Sequence, residues 1–142
     1  MRYPNIIVSL LISWSLHSQD LKVTDRYFFY YKGDSIKFDL PKGYETSHFH
    51  YTEGDYFHFY KSDSTTFVIH CGAMVRLPHL RGEEYVTVDS TLNDRRGVMK
   101  SNGKLWREIN LLGSNIYYKK VTEHDQELLD AVIVGIIEKM RE

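Results

Sequence analysis

The stretch TEHDQELLDAVIVGIIEKMRE, Thr122–Glu142, decides how the chain folds. Leu128, Leu129, Val132, Ile133, Ile136, Ile137 and Met140 recur at helical spacing and fall on one half of a cylinder. Thr122 or Asp125 can cap the first turn. Glu123, Asp125 and Glu127 lie near the positive end of the helix dipole, and Lys139 and Arg141 near the negative end. One long amphipathic helix is predicted, with an apolar half that must be laid on something. Gly135, on the flank of the apolar arc, costs about 1 kcal/mol against alanine. Its missing side chain is expected to let the helix approach its support closely.

The residues before the helix supply that support as strands. DSIKFDLP (34–41) alternates Ile36, Phe38 and Leu40 against Ser35, Lys37 and Asp39, which predicts a half-buried strand closed by Pro41. RYFFYY (26–31) fits either a strand or a helix. TTFVIHCGAM (65–74) reads as a strand, VRLPHLRGE (75–83) as a connecting loop, EYVTVDS (84–90) as a further strand and STLNDRRG (90–97) as an irregular crossing. Turn signals at Asn102-Gly103 and Gly113-Ser114-Asn115 then cut residues 97–121 into a three-stranded meander. Strands first and one helix last predict an α+β domain: an antiparallel sheet of hairpins and a meander with the C-terminal helix packed on it.

SHFHYTEGDYFHFY (47–60) is the most chemically suggestive stretch. As a hairpin with a three-residue loop, Thr52-Glu53-Gly54, and Gly54 left-handed, it pairs His48 with His58 and His50 with Tyr56. The odd positions Phe49, Tyr51, Phe57 and Phe59 then form a core face. The even positions gather His48, His50, Tyr56, His58 and Tyr60 on the other face, the candidate binding residues. Three imidazoles on one face could ligate Zn, Cu or Ni; cross-strand His and Tyr also make an ordinary amphipathic recognition surface. A two-residue turn would shift the parity and place His58 beside Phe49.

Other groups read as structural. Cys71, the only cysteine, sits in a strand as a buried, inert thiol, and His70 beside it must point to the opposite face. Trp106 and Glu108 share one face of their strand, with Trp106 in the core. The charges of HLRGEEY and NDRRG read as solvated loop surface. No Gly-x-Ser-x-Gly elbow, phosphate-binding glycine loop or paired-carboxylate motif stands in the chain, and no cofactor is expected.

The bulk numbers bound the partners. With a formal charge of -1 and a pI near 6.7, the chain has no basic excess to neutralise nucleic-acid phosphates or hold an anionic membrane. Arg2, the apolar run IIVSLLISW (6–14) and the polar SLHSQD after it match an export signal cut after Ser18, leaving residues 19–142 as a single α+β domain. That run is roughly half the length of about 20 residues needed to span a bilayer, so no stable membrane insertion is expected after cleavage.

DSIKFDLPKGYE (34–45), a strand ending in Pro-x-Gly-aromatic, and NIYYKKVTEHDQELLDAVIVGI (115–136), a last strand running into the final helix, resemble the PsbP-like α/β domains. The likeness spans Ser35–Glu142, with Tyr44 where that family usually has Trp. It implies an α-β-α or α+β sandwich and a non-enzymatic binding or assembly role, and it carries over no functional residue. The N-terminal segment is similar to that of small uncharacterised secreted proteins of Gram-negative bacteria. The resulting expectation is a periplasmic or secreted, non-catalytic module that recognises a protein partner, such as an immunity or inhibitor protein. The alternatives are a metal-binding protein or hydrolase built on His48, His50 and His58, and a structural envelope component.

Overall fold

A computed structural model describes residues 24–76 and 78–142. The export signal expected at residues 1–18 lies outside them. The elements are β1 (Thr24–Tyr31), β2 (Asp34–Pro41), β3 (Glu45–Tyr51), β4 (Gly54–Tyr60), β5 (Thr66–Gly72), a short 3-10 turn (Ala73–Arg76), β6 (Tyr85–Ser90), β7 (Asp94–Met99), β8 (Leu105–Leu111), β9 (Ser114–Val121) and α1 (Glu123–Arg141). The class is α+β, as expected, with the long C-terminal helix packed on antiparallel strands.

β3 to β9 form one antiparallel sheet in the order β3-β4-β5-β9-β8-β7-β6, and β1 and β2 form a separate two-stranded ribbon. RYFFYY is therefore a strand. Lys32 and Gly33, both with positive φ, make the tight turn between β1 and β2, a geometry that matches the strand twist. β2 keeps its predicted alternation, with Ile36, Phe38 and Leu40 buried.

The ribbon and α1 cover one face of the sheet, the inner face. Phe29, Phe38 and Leu40 of the ribbon meet Phe57, Phe59, Phe67, Ile69, Ile116 and Tyr118 of the sheet. Phe38 and Phe59 contact edge-to-face at 5.3 Å. Leu129, Ile133, Ile136 and Met140 bury the predicted stripe of α1, and Thr122 rather than Asp125 is the cap, its hydroxyl accepting from the Asp125 amide. Each fully buried aliphatic or Phe side chain contributes about 1.5–3 kcal/mol. Gly135 does not mediate a close approach: a Cβ there would meet nothing within 4 Å. Arg107 bridges Asp94 and Asp130, so an ion network ties α1 to the sheet at the end of this layer.

The opposite, outer face is covered in part by a crossing segment whose regular structure is the short 3-10 turn Ala73–Arg76. After β5, in the middle of the sheet, the chain must reach β6 at the far edge, and residues 73–76 and 78–84 belong to that crossing. Its own Val75 and Leu80 are buried, and Leu80 packs with Val68, Met99, Trp106 and Tyr117.

Three local readings change. NDRRG is not an irregular crossing, because Asp94–Met99 is β7, paired on both sides. The turn after β8 is Leu112-Gly113, both with positive φ, so Ser114 and Asn115 belong to β9. The β3–β4 hairpin turns on two residues, Thr52 and Glu53, and Gly54 pairs with Tyr51. Gly54 does not have a positive φ. It is glycine because a Cβ there would overlap the Cys71 carbonyl oxygen and the Gly72 Cα of β5. Close approach of a third strand, not turn geometry, claims that residue.

Candidate functional site

The corrected register splits the five candidate residues between two faces. Pairing is Ser47↔His58, His48↔Phe57, Phe49↔Tyr56 and His50↔Asp55. His48 and His50 therefore share the inner side of β3–β4 with Phe57 and Phe59. Tyr56, His58 and Tyr60 stand on the outer side with Phe49. The expected trio His48, His50 and His58 does not converge. Among the described residues, no group of three His, Cys, Asp or Glu side chains is placed to hold a metal ion.

On the inner side, one Asp55 oxygen accepts from both His48 Nε2 at 2.7 Å and His50 Nδ1 at 2.9 Å. Burial works to raise the Asp55 pKa, but the two histidine hydrogen bonds outweigh it and hold the carboxyl below its ordinary range. The His48 ring stacks on Phe57, with centroids 4.2 Å apart. β3 is the sheet edge, and six of its seven residues are exposed. Phe49 is 66% exposed and stacks on Tyr51. On the inner side of the same strand, a groove of about 310 Å³ runs between β1 and β3, lined by Phe28, Tyr30, Thr46 and His48. Phe28 and Tyr30 are each nearly half exposed.

On the outer side, Tyr56 donates to or accepts from Tyr117 at 2.8 Å, and His58 lies 4.9 Å from the Tyr60 ring. Burial first, and Lys119 second, lower the His58 pKa. His70 joins this face: its Nε2 meets the Tyr51 hydroxyl at 2.5 Å and its Nδ1 meets His79 Nε2 at 2.8 Å. Burial, and then the nearby acidic groups, raise the Tyr51 pKa, so its hydroxyl keeps its proton near pH 7. Burial, followed by His79, lowers the His70 pKa, so the ring is neutral near pH 7. Cys71 points the other way, into the inner core, where burial and then Asp55 push its thiol up to about 12. It is unsuited to nucleophilic work.

The crossing segment is pinned to the outer face by Glu108. One carboxylate oxygen accepts from the His79 amide at 2.6 Å, the Leu80 amide at 3.3 Å and Asn115 Nδ2 at 3.0 Å. The other accepts from Arg95, which also donates to the Leu80 carbonyl at 3.1 Å. Arg95 lies over the Trp106 ring, 5.5 Å from its centroid. Asn110 donates to the Val75 carbonyl. Between this network and the chain at Leu92 and Asn93 opens a cleft of about 340 Å³.

Sequence reasoning placed Trp106 and Glu108 on one face correctly. It misses the network because the local pattern makes Arg95 solvated loop, Asn115 a turn residue and His79 part of a connecting loop. The available signal was the strand run ending at Met99, which extends back through Arg95 once β7 is recognised. The chain matches no family model, no curated protein and no solved structure.

Proposed function

We propose that the protein is a non-catalytic binding module that takes up an extended segment of a protein partner along β3. The observation that carries this reading is the state of that edge. β3 pairs in unbroken register from Glu45 to Tyr51 on one side, and its other side lies at the end of the sheet. It contains no Lys, Pro or bulge, the devices by which sheet edges ordinarily discourage pairing. The opposite edge, β6, is broken by a register shift between Thr87 and Asp89.

An added strand would satisfy the open amides and carbonyls of β3, and side chains would supply specificity. Phe49 and Tyr51 offer an aromatic contact on one side. Phe28, Tyr30 and His48 line the groove on the other. Aromatic side chains give large contact area at low entropic cost. The sequence reading of an export signal supports placing the partner in the periplasm or outside the cell. An immunity or inhibitor protein is one form such a module takes, and the resemblance to PsbP-like domains agrees with a binding role.

The test is photo-crosslinking in the native cell, with a photoreactive side chain at Ser47 or Phe49 and, as control, at Val88. A discrete adduct with a second protein from β3 alone, lost in Thr46→Pro, is the expected result. Adducts joining two copies of the chain would replace this reading with a self-assembling envelope component. Equal adducts from Val88, or none from β3, would overturn it.

A further inference from the structure

From the polar cleft on the outer face we infer a second binding site, for a neutral polyhydroxyl ligand the size of one sugar unit. It is built on β7, β8 and β9, well along the sheet from β3, and it does not depend on the partner reading.

The first observation is an unanswered acceptor. Asn115 is fully buried in β9, and its Oδ1 has no hydrogen-bond partner among the described residues. The amide cannot be turned around to cure this. Its Nδ2 donates to Glu108, and the reversed amide would set an oxygen against that carboxylate. A buried carbonyl oxygen left without a donor is destabilising, because it has lost its water without a replacement. Asn115 borders the cleft, and a hydroxyl of its occupant is a donor of the right kind for this oxygen.

The second observation is charge balance. Arg95 and Glu108 are paired across the wall, so the lining carries no net charge. A phosphate would find Glu108 beside its cation, and a metal would find Arg95 beside its anion. The Glu108 oxygens are already occupied by four donors and have nothing further to offer. A neutral ligand meets neither conflict.

The third is the alternation of donors and acceptors. Arg95 uses one terminal nitrogen on Leu80 and Glu108, which leaves three of its five N–H groups for other acceptors. Asn110 spends one of its two amide N–H groups on the Val75 carbonyl, and its oxygen remains an acceptor beside Asn115. Asn93 adds an exposed amide at the rim. Neighbouring hydroxyls, each a donor and an acceptor, match planar amide and guanidinium groups set side by side. The volume is near the lower bound of about 300 Å³ for small-molecule sites, which suits one ring and not a chain. Leu92, 96% exposed at the mouth, offers an apolar lip for the ring's C–H face.

The experiment is a side-chain-resolved NMR titration of the purified protein with D-glucose and N-acetylglucosamine, and with inorganic phosphate and acetamide as comparison probes. A saturable shift of the Asn110 and Asn115 side-chain amides and of Arg95 Nε–H with a sugar is the expected result. Asn93→Ala, at an exposed position that leaves the Glu108 network intact, should weaken it roughly tenfold. Asn115→Ala should abolish it, provided the backbone spectrum stays that of the folded protein. No saturable shift with either sugar into the millimolar range would overturn the inference. So would tighter binding of phosphate or acetamide, or shifts confined to other residues. A crystal soaked in either sugar that shows only an ordered water on Asn115 Oδ1 would overturn it too.

Discussion

The two faces of the large sheet solve the same problem with opposite chemistry. The inner face is sealed by two regular elements, the β1–β2 ribbon and α1, through aromatic and aliphatic side chains. The outer face is closed by a crossing segment, whose backbone needs hydrogen bonds that a hydrophobic cover would not need. Glu108 supplies them, accepting from two of its amides. The contrast teaches where function can be sited. A face sealed by elements leaves little polar chemistry reachable, whereas a face sealed by chain requires buried polar anchors and leaves gaps between them.

The largest expected effect comes from breaking the inner seal. Ile133→Ala should cost about 3–4 kcal/mol, read as a lower urea midpoint, because it opens a cavity where α1 meets the sheet. Glu108→Gln breaks the outer seal while keeping shape. It leaves Arg95 without its anion and weakens three further hydrogen bonds, so about 2–3 kcal/mol should be lost. Amide exchange should then rise at His79 and Leu80 while α1 stays protected. Equal exchange gains on both faces would show that the two seals are one cooperative unit.

Acid should separate the faces further. His58 and His70 both have folded pKa values below the ordinary 6.5, because burial disfavours their charged forms. Below about pH 6.5 the unfolded chain binds protons that the folded chain refuses, so stability falls as pH falls. The slope can reach about 1.4 kcal/mol per pH unit for each group, and His70→Gln should remove its share. Comparing urea midpoints near pH 7.5 and near pH 5.5 checks the sign. The smallest effect is a gain: Gly135→Ala meets open space in a helix interior and should add about 0.5–1 kcal/mol to the inner seal, seen as a raised Tm.

Much of this architecture was legible in the chain. The period of Leu129, Ile133, Ile136 and Met140 and the capping Thr122 define α1 locally. The alternation in β2 and the glycine turns of the meander are local as well. Register was not, and neither was the candidate site that depended on it. Gly54 looked like a turn residue, and one residue of slip moves His48 and His50 to the face opposite Tyr56, His58 and Tyr60.

The sequence by itself determined the α+β class, the terminal helix, the strand that buries Cys71, and the shared face of Trp106 and Glu108. These follow from periodicities and caps that act over a few residues. Only the tertiary structure decided the rest. It set β5 against β9, which forces the crossing over the outer face. It brought β5 against Gly54, which fixed the hairpin register. It joined Tyr51, His70, His79, Arg95, Glu108 and Asn115 from six separate segments, because the segments that meet over a sheet depend on strand order, and strand order is not written in any local pattern.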